Sequence, residues 1–157
     1  MSVIVASSEL SDSQFLAAVA DGSLPLESFH HGDHLRLAWL KLHGLPFPEA
    51  LTQIRNTIRS YASHHGKAAI YHETITTAWV ALLASQREAT FTDFLRTNEP
   101  LLNKALLERY WSPQILYSPE ARDAWVPPDR APLPVDPSIL NSISGTEKCV
   151  DGAAKEK

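Results

Sequence analysis

The chain has 157 residues and a mass of 17.4 kDa, with 44% hydrophobic and 20% charged residues, a composition that excludes a wholly disordered or fibrous protein. A domain of this length buries about 70% of the surface its unfolded chain exposes, so a single core can form without staples. The formal charge of -4 provides no broad positive field for a phosphate backbone, and nucleic acid is not an expected partner.

Cys149 is the only cysteine, so neither an intramolecular disulfide nor a thiolate metal cluster can form. The opening "MSVIVASSELSDSQF" has no basic stretch and only a short apolar run, unlike a secretory signal. No stretch approaches the eighteen or so apolar residues of a membrane span. The expected location is the cytoplasm, with no membrane partner.

Helical punctuation starts at "SDSQFLAAVADG", where Ser11 can cap a helix, Gln14 can complete a capping box and Gly22 ends it. A second helix is predicted from about residue 31 to Gly44, closed by Pro46. A third opens at "PFPEAL", with Pro48 in its first turn and Gly66 as its stop. Along it Leu51, Ile54, Ile58, Tyr61, Ala62 and His65 share an arc of about 100°, the width of a core-facing stripe.

A fourth helix is predicted over about residues 69 to 87, although Thr74, Ile75, Thr76, Thr77 and Val80 are β-branched. Length decides for helix, since strands run about 3 to 10 residues and the apolar positions here repeat every three or four. Shorter helices are expected at "TFTDFLRTN", "PLLNKALLERYW" and "SPEARDAW", the last started by Ser118 and Pro119. The proline-rich run 126–137 can neither sustain a helix nor enter a sheet, and reads as an extended strap. The expected architecture is all-α: a single domain over 1–137, four principal helices with short C-terminal ones, and a disordered tail over 138–157.

The seven histidines all lie between His30 and His72. On the second helix His31 and His34 share the face of Leu35, Ala38 and Leu42. On the fourth, His72 falls with Ile75, Thr76, Trp79 and Leu83. Imidazoles crowded on two inward faces are costly if charged and need partners even when neutral, a conflict that a divalent cation resolves. His31, His34 and His72 are therefore the candidate ligands of a zinc, iron or copper ion, with an open position for water or dioxygen. The alternative for each is a hydrogen-bonded core histidine. His65 fits a structural role in the last turn of its helix, and His43 and His64 are expected to face solvent.

"HE" at residues 72 and 73 begins the H-E-x-x-H zinc motif, but Thr76 stands where its second histidine belongs. Glu73 and Tyr71 remain candidates for proton handling, with a solvated face as the simpler reading of Glu73. Arg122 can anchor an anion with its planar fork, or pair with a neighbouring acid. Trp39 and Trp79 can wall a pocket beside the histidines. No serine or cysteine nucleophile motif and no glycine-rich phosphate loop is present.

"FHHGDHLRLAW", "YHETITTAW" and "YSPEARDAWVPPDRAPLP" together resemble the pattern of a family of small bacterial helical proteins of unknown function, covering most of residues 10 to 134. The resemblance implies one domain and no catalytic residue. The residues themselves lead to two functions. The first is a metal-dependent enzyme, a hydrolase, lyase or oxygenase, acting on a small-molecule substrate. The second is a metal-free helical domain that binds a small ligand or a protein partner, a homodimer among the arrangements allowed.

Overall fold

The computed structural model describes residues 9–86 and 90–143. The described residues form an all-α single-domain bundle with no strand among them. Helix α1 (Asp12–Ala20) carries the expected capping box. The Ser11 side chain accepts from the Gln14 amide at 3.1 Å, and the Gln14 side chain accepts from the Ser11 amide at 2.9 Å. It buries Phe15 and Val19 and ends before Gly22, whose φ of 81° lies in the left-handed region that favours glycine.

Helix α2 (His31–Gly44) starts where the His30 amide donates to the Asp33 carboxylate at 2.8 Å, satisfying one donor that the first turn leaves open. Helix α3 (Phe47–His64) buries Leu51, Ile54, Tyr61 and Ala62, four members of the predicted stripe. Helix α4 (Glu73–Ala84) buries every residue from Thr77 to Leu83 and also Thr74, so it occupies the middle of the bundle. A helix this apolar all round is stable only when surrounded. It packs against α2, α3 and the short helix α7 (Pro119–Asp123), while α1 packs against α3.

The fourth helix begins later than the sequence predicts. Ala68–Ile70 form a 3₁₀ turn, and Tyr71 and His72 are extended before the helix starts at Glu73. The physical reason is the His72 side chain, which accepts from the Ile75 amide at 3.1 Å and so caps the helix rather than continuing it.

Helix α5 (Phe91–Thr97) and helix α6 (Pro113–Leu116) flank two 3₁₀ segments, Glu99–Leu102 and Lys104–Arg109, where an α-helix was expected. Ser118 caps α7 by accepting from the Ala121 amide at 3.2 Å.

The proline-rich run has neither helix nor strand up to residue 136, bends at 129–131 and 134–135, and is tied down. Trp111, fully buried, donates its indole N–H to the Val126 carbonyl at 2.9 Å, and the Arg130 amide donates to the Tyr110 carbonyl at 2.8 Å. Thr74 grips the same segment from α4, donating to the Ala124 carbonyl at 2.7 Å and accepting from the Val126 amide at 3.1 Å. Part of the expected tail is ordered: residues 137–143 are helical and Ile143 is buried. The rest of that tail lies outside the described residues.

Candidate functional site

The three histidines read as metal ligands do not meet. Among the described residues, no group of three or more His, Cys, Asp or Glu side chains is placed to hold a metal ion. His31 Nε2 lies 3.1 Å from the Leu101 carbonyl oxygen, and its ring packs edge-on to Trp79 with centroids 4.6 Å apart. His34 turns back on its own helix, with Nδ1 3.0 Å from the His30 carbonyl and its ring stacked on Phe29. His72 uses both nitrogens, Nδ1 to accept from Ile75 and Nε2 to donate to the Leu116 carbonyl at 2.7 Å.

The helical projection fails because His72 is not in the helix. Its backbone is extended, so the ring folds over the first turn of α4 instead of pointing inward beside Trp79. The bonding pattern also sets the tautomer, since an atom that accepts from an amide carries no proton and one that donates to a carbonyl must. A metal at His72 would have to displace one of these bonds, so the donor set does not fit a three-histidine centre. Burial holds the His31, His34 and His72 pKa values below the ordinary imidazole value, and the Arg122 charge adds to this at His72.

Of the remaining histidines, His43 and His64 are exposed, as expected, while His65 and His43 each also meet a backbone carbonyl. His65 Nε2 meets the Gly22 carbonyl at 3.0 Å, and His43 Nδ1 meets the Trp39 carbonyl at 2.9 Å. Trp39 and Trp79 are buried core residues rather than walls of an open pocket.

The polar chemistry concentrates one residue further on. Glu73 is buried, not solvated, and its carboxylate accepts from Arg55 Nε at 2.6 Å, Tyr71 Oη at 2.8 Å and Thr77 Oγ1 at 3.2 Å. Arg59 approaches the same carboxylate at 3.5 Å, and its guanidinium lies 4.6 Å above the Tyr71 ring. A lone buried carboxylate would be prohibitive, and this one is fully partnered. Burial and the Glu73 charge raise the Tyr71 pKa far above its ordinary value, so the phenol stays protonated and keeps donating.

Two guanidinium groups on one carboxylate leave one unit of positive charge over. Arg55 is partly exposed and Arg59 more than half exposed, so that excess reaches solvent. Arg55 also lines a cavity of about 360 Å³ with Phe47, Pro48, Glu49, Leu51, Thr52, Gln53 and Ser142.

Phe47, Leu51, Arg55 and Arg59 follow one another at four-residue steps on α3, which sets an apolar half and a cationic half on a single ridge. Arg122, the expected anion anchor, donates to the Ala69 carbonyl at 3.1 Å, next to Tyr71 but not within the Glu73 cluster.

Glu73 and Tyr71 were legible as a pair, while Arg55 and Arg59 were not. Their signal was the four-step spacing of two arginines beside the apolar stripe of α3. Fold and site together define an all-α domain with a buried arginine–carboxylate cluster at the edge of a small cavity. No protein-family model, curated protein or solved structure matches the chain.

Proposed function

We propose that the protein is a metal-free helical binding domain for a small anionic molecule, the second of the two functions the sequence allows. The observation that carries this reading is the Arg55 guanidinium, held by Glu73 and partly exposed in a cavity walled by Phe47, Pro48 and Leu51, whose lining also includes Glu49 and Gln53. A volume of about 360 Å³ falls within the roughly 300–1,000 Å³ usual for small-ligand sites, where apolar walls supply area and a few polar groups fix orientation. The ligand's anionic group would lie on the guanidinium donors, and its apolar body against Phe47 and Leu51. Tyr71 and Glu73 hold the arginines in place, limiting the ordering cost of binding.

Titration of the labelled protein with benzoate, followed by NMR, tests the reading, with benzyl alcohol as the neutral control. Saturable shifts confined to residues 47–59 and 71–73, weakened in Arg55→Gln and absent with the alcohol, support it. No shifts with benzoate, or equal shifts with the alcohol, contradict it.

A further inference from the structure

The cavity carries a second charge that a simple anion does not use. Its lining includes Glu49 as well as Arg55. Glu49 lies exposed in the first turn of α3, where the helix dipole favours an acid with or without a ligand. Its place on the cavity wall is a separate observation. Glu49, Thr52 and Arg55 follow one another at three-residue steps, so an acid, a hydroxyl and a guanidinium form one row on the helix surface. The two ends of that row are about 9 Å apart along the helix axis.

The two charges do not pair with each other. Arg55 gives its Nε–H to Glu73, and among the described residues its Nη groups have no partner. The Glu49 side chain forms no ion pair or hydrogen bond among those residues either. Between them, the Thr52 hydroxyl donates its proton to the Pro48 carbonyl at 3.0 Å, so towards a ligand Thr52 can only accept. One end of the row therefore offers donors and positive charge, and the other offers two acceptors and negative charge. The apolar side chains of Leu51 and Phe47 line the same cavity.

We infer that the cavity takes a small zwitterion whose carboxylate and ammonium groups are held apart by an apolar spacer, an ω-aminocarboxylate in chemical terms. This ligand class rests on the anion-binding reading above and narrows it. The carboxylate would take the Nη donors of Arg55, and the spacer would pack on Leu51 and Phe47. The ammonium, which only donates, would meet the Glu49 carboxylate and the Thr52 oxygen. An α-amino acid does not fit this row, because its ammonium lies beside its carboxylate and would be brought against Arg55. A dianion is rejected by Glu49 for the same reason of like charge.

The probe is 4-(aminomethyl)benzoate, which differs from benzoate by an ammonium group carried at the far end of the ring. Both are titrated into the full chain at about pH 7, where an aliphatic amine is protonated, and followed by NMR. The expected dissociation constant is about threefold lower for 4-(aminomethyl)benzoate than for benzoate, the gain that an ion pair at an exposed carboxylate allows. Additional shifts should appear at residues 49 and 52. Glu49→Gln should bring the two ligands to equal affinity, and Thr52→Val, which keeps the side chain's shape but removes an acceptor, should reduce the gain. Phenylglycine, with its two charges adjacent, should bind more weakly than benzoate.

Benzoate that binds as tightly as 4-(aminomethyl)benzoate would overturn the inference and leave the anion site standing. A gain that persists in Glu49→Gln, or phenylglycine that binds more tightly than 4-(aminomethyl)benzoate, would overturn it as well. Binding of neither benzoate nor 4-(aminomethyl)benzoate would overturn both the ligand class and the anion site. The thermal midpoints of Glu49→Gln and Thr52→Val separate a lost contact from a lost fold.

Discussion

His72 donates from Nε2 to the Leu116 carbonyl at 2.7 Å, joining the start of α4 to the end of α6 across 44 positions of sequence. The same ring caps α4 through Nδ1, so one side chain both starts the central helix and holds the C-terminal segment to it. Replacing it with alanine removes a cap and leaves a partly buried carbonyl without its donor. The expected loss is about 2 kcal/mol. His72→Asn, which restores a capping oxygen but does not reach Leu116, should lose about half as much. Urea unfolding of the two variants checks the order, and equal losses would contradict the dual role.

The depressed pKa values of His31, His34 and His72 set the sign of the pH dependence. Between the folded values and the ordinary value of about 6.5, the unfolded chain binds more protons than the folded one, so stability rises with pH. The contribution is fully present above about pH 6.5 and is lost as pH falls through the folded values. Each histidine adds at most about 1.4 kcal/mol per pH unit within that window. Urea midpoints at about pH 7.5, 6 and 5 should fall in that order, and a midpoint that rose on acidification would contradict the assignment.

The Arg55–Glu73 pair gives a prediction with an internal control. Arg55→Met leaves the buried carboxylate with Tyr71, Thr77 and the more distant Arg59, and should cost about 3 kcal/mol. Glu73→Leu added to Arg55→Met removes the stranded charge and should recover part of that loss. A double variant less stable than Arg55→Met would show that the carboxylate is held mainly by its neutral donors.

How much was legible can be traced through single residues. Ser11, Gln14 and Ser118 are capping types at capping spacing, and each caps as the sequence predicts, because the interaction is local. His72 misled because a projection at 100° per residue assumes the helix continues, and only the tertiary bond to Leu116 explains why the ring turns to cap it instead. Ile139, Leu140 and Ile143 carry a helical spacing that the small polar residues around them obscured, and their burial against the bundle orders residues 137–143. The Arg55 and Arg59 cluster needs two helices brought together, which no single-segment pattern reports.

Two glycines separate backbone strain from open space. Gly22 has a φ of 81°, and a Cβ placed there would lie 2.5 Å from the His64 ring. Gly22→Ala should cost about 1–2 kcal/mol. Gly32, within the first turn of α2, has nothing within 4 Å of such a Cβ, so Gly32→Ala should stabilise by roughly 0.5 kcal/mol. Thermal midpoints moving in opposite directions confirm both, and a neutral Gly22→Ala would contradict the first.

Imidazole nitrogens committed to structural hydrogen bonds should be indifferent to added metal, and long-range ¹H–¹⁵N correlation of the histidine rings during zinc titration tests this most directly. The expected result is a neutral His72 with its proton on Nε2 at about pH 7.5, unchanged by one equivalent of zinc, with His31 and His34 not shifting in concert with it. Stoichiometric zinc binding that moves the ring nitrogens of His31, His34 and His72 together would contradict it and restore the three-histidine centre.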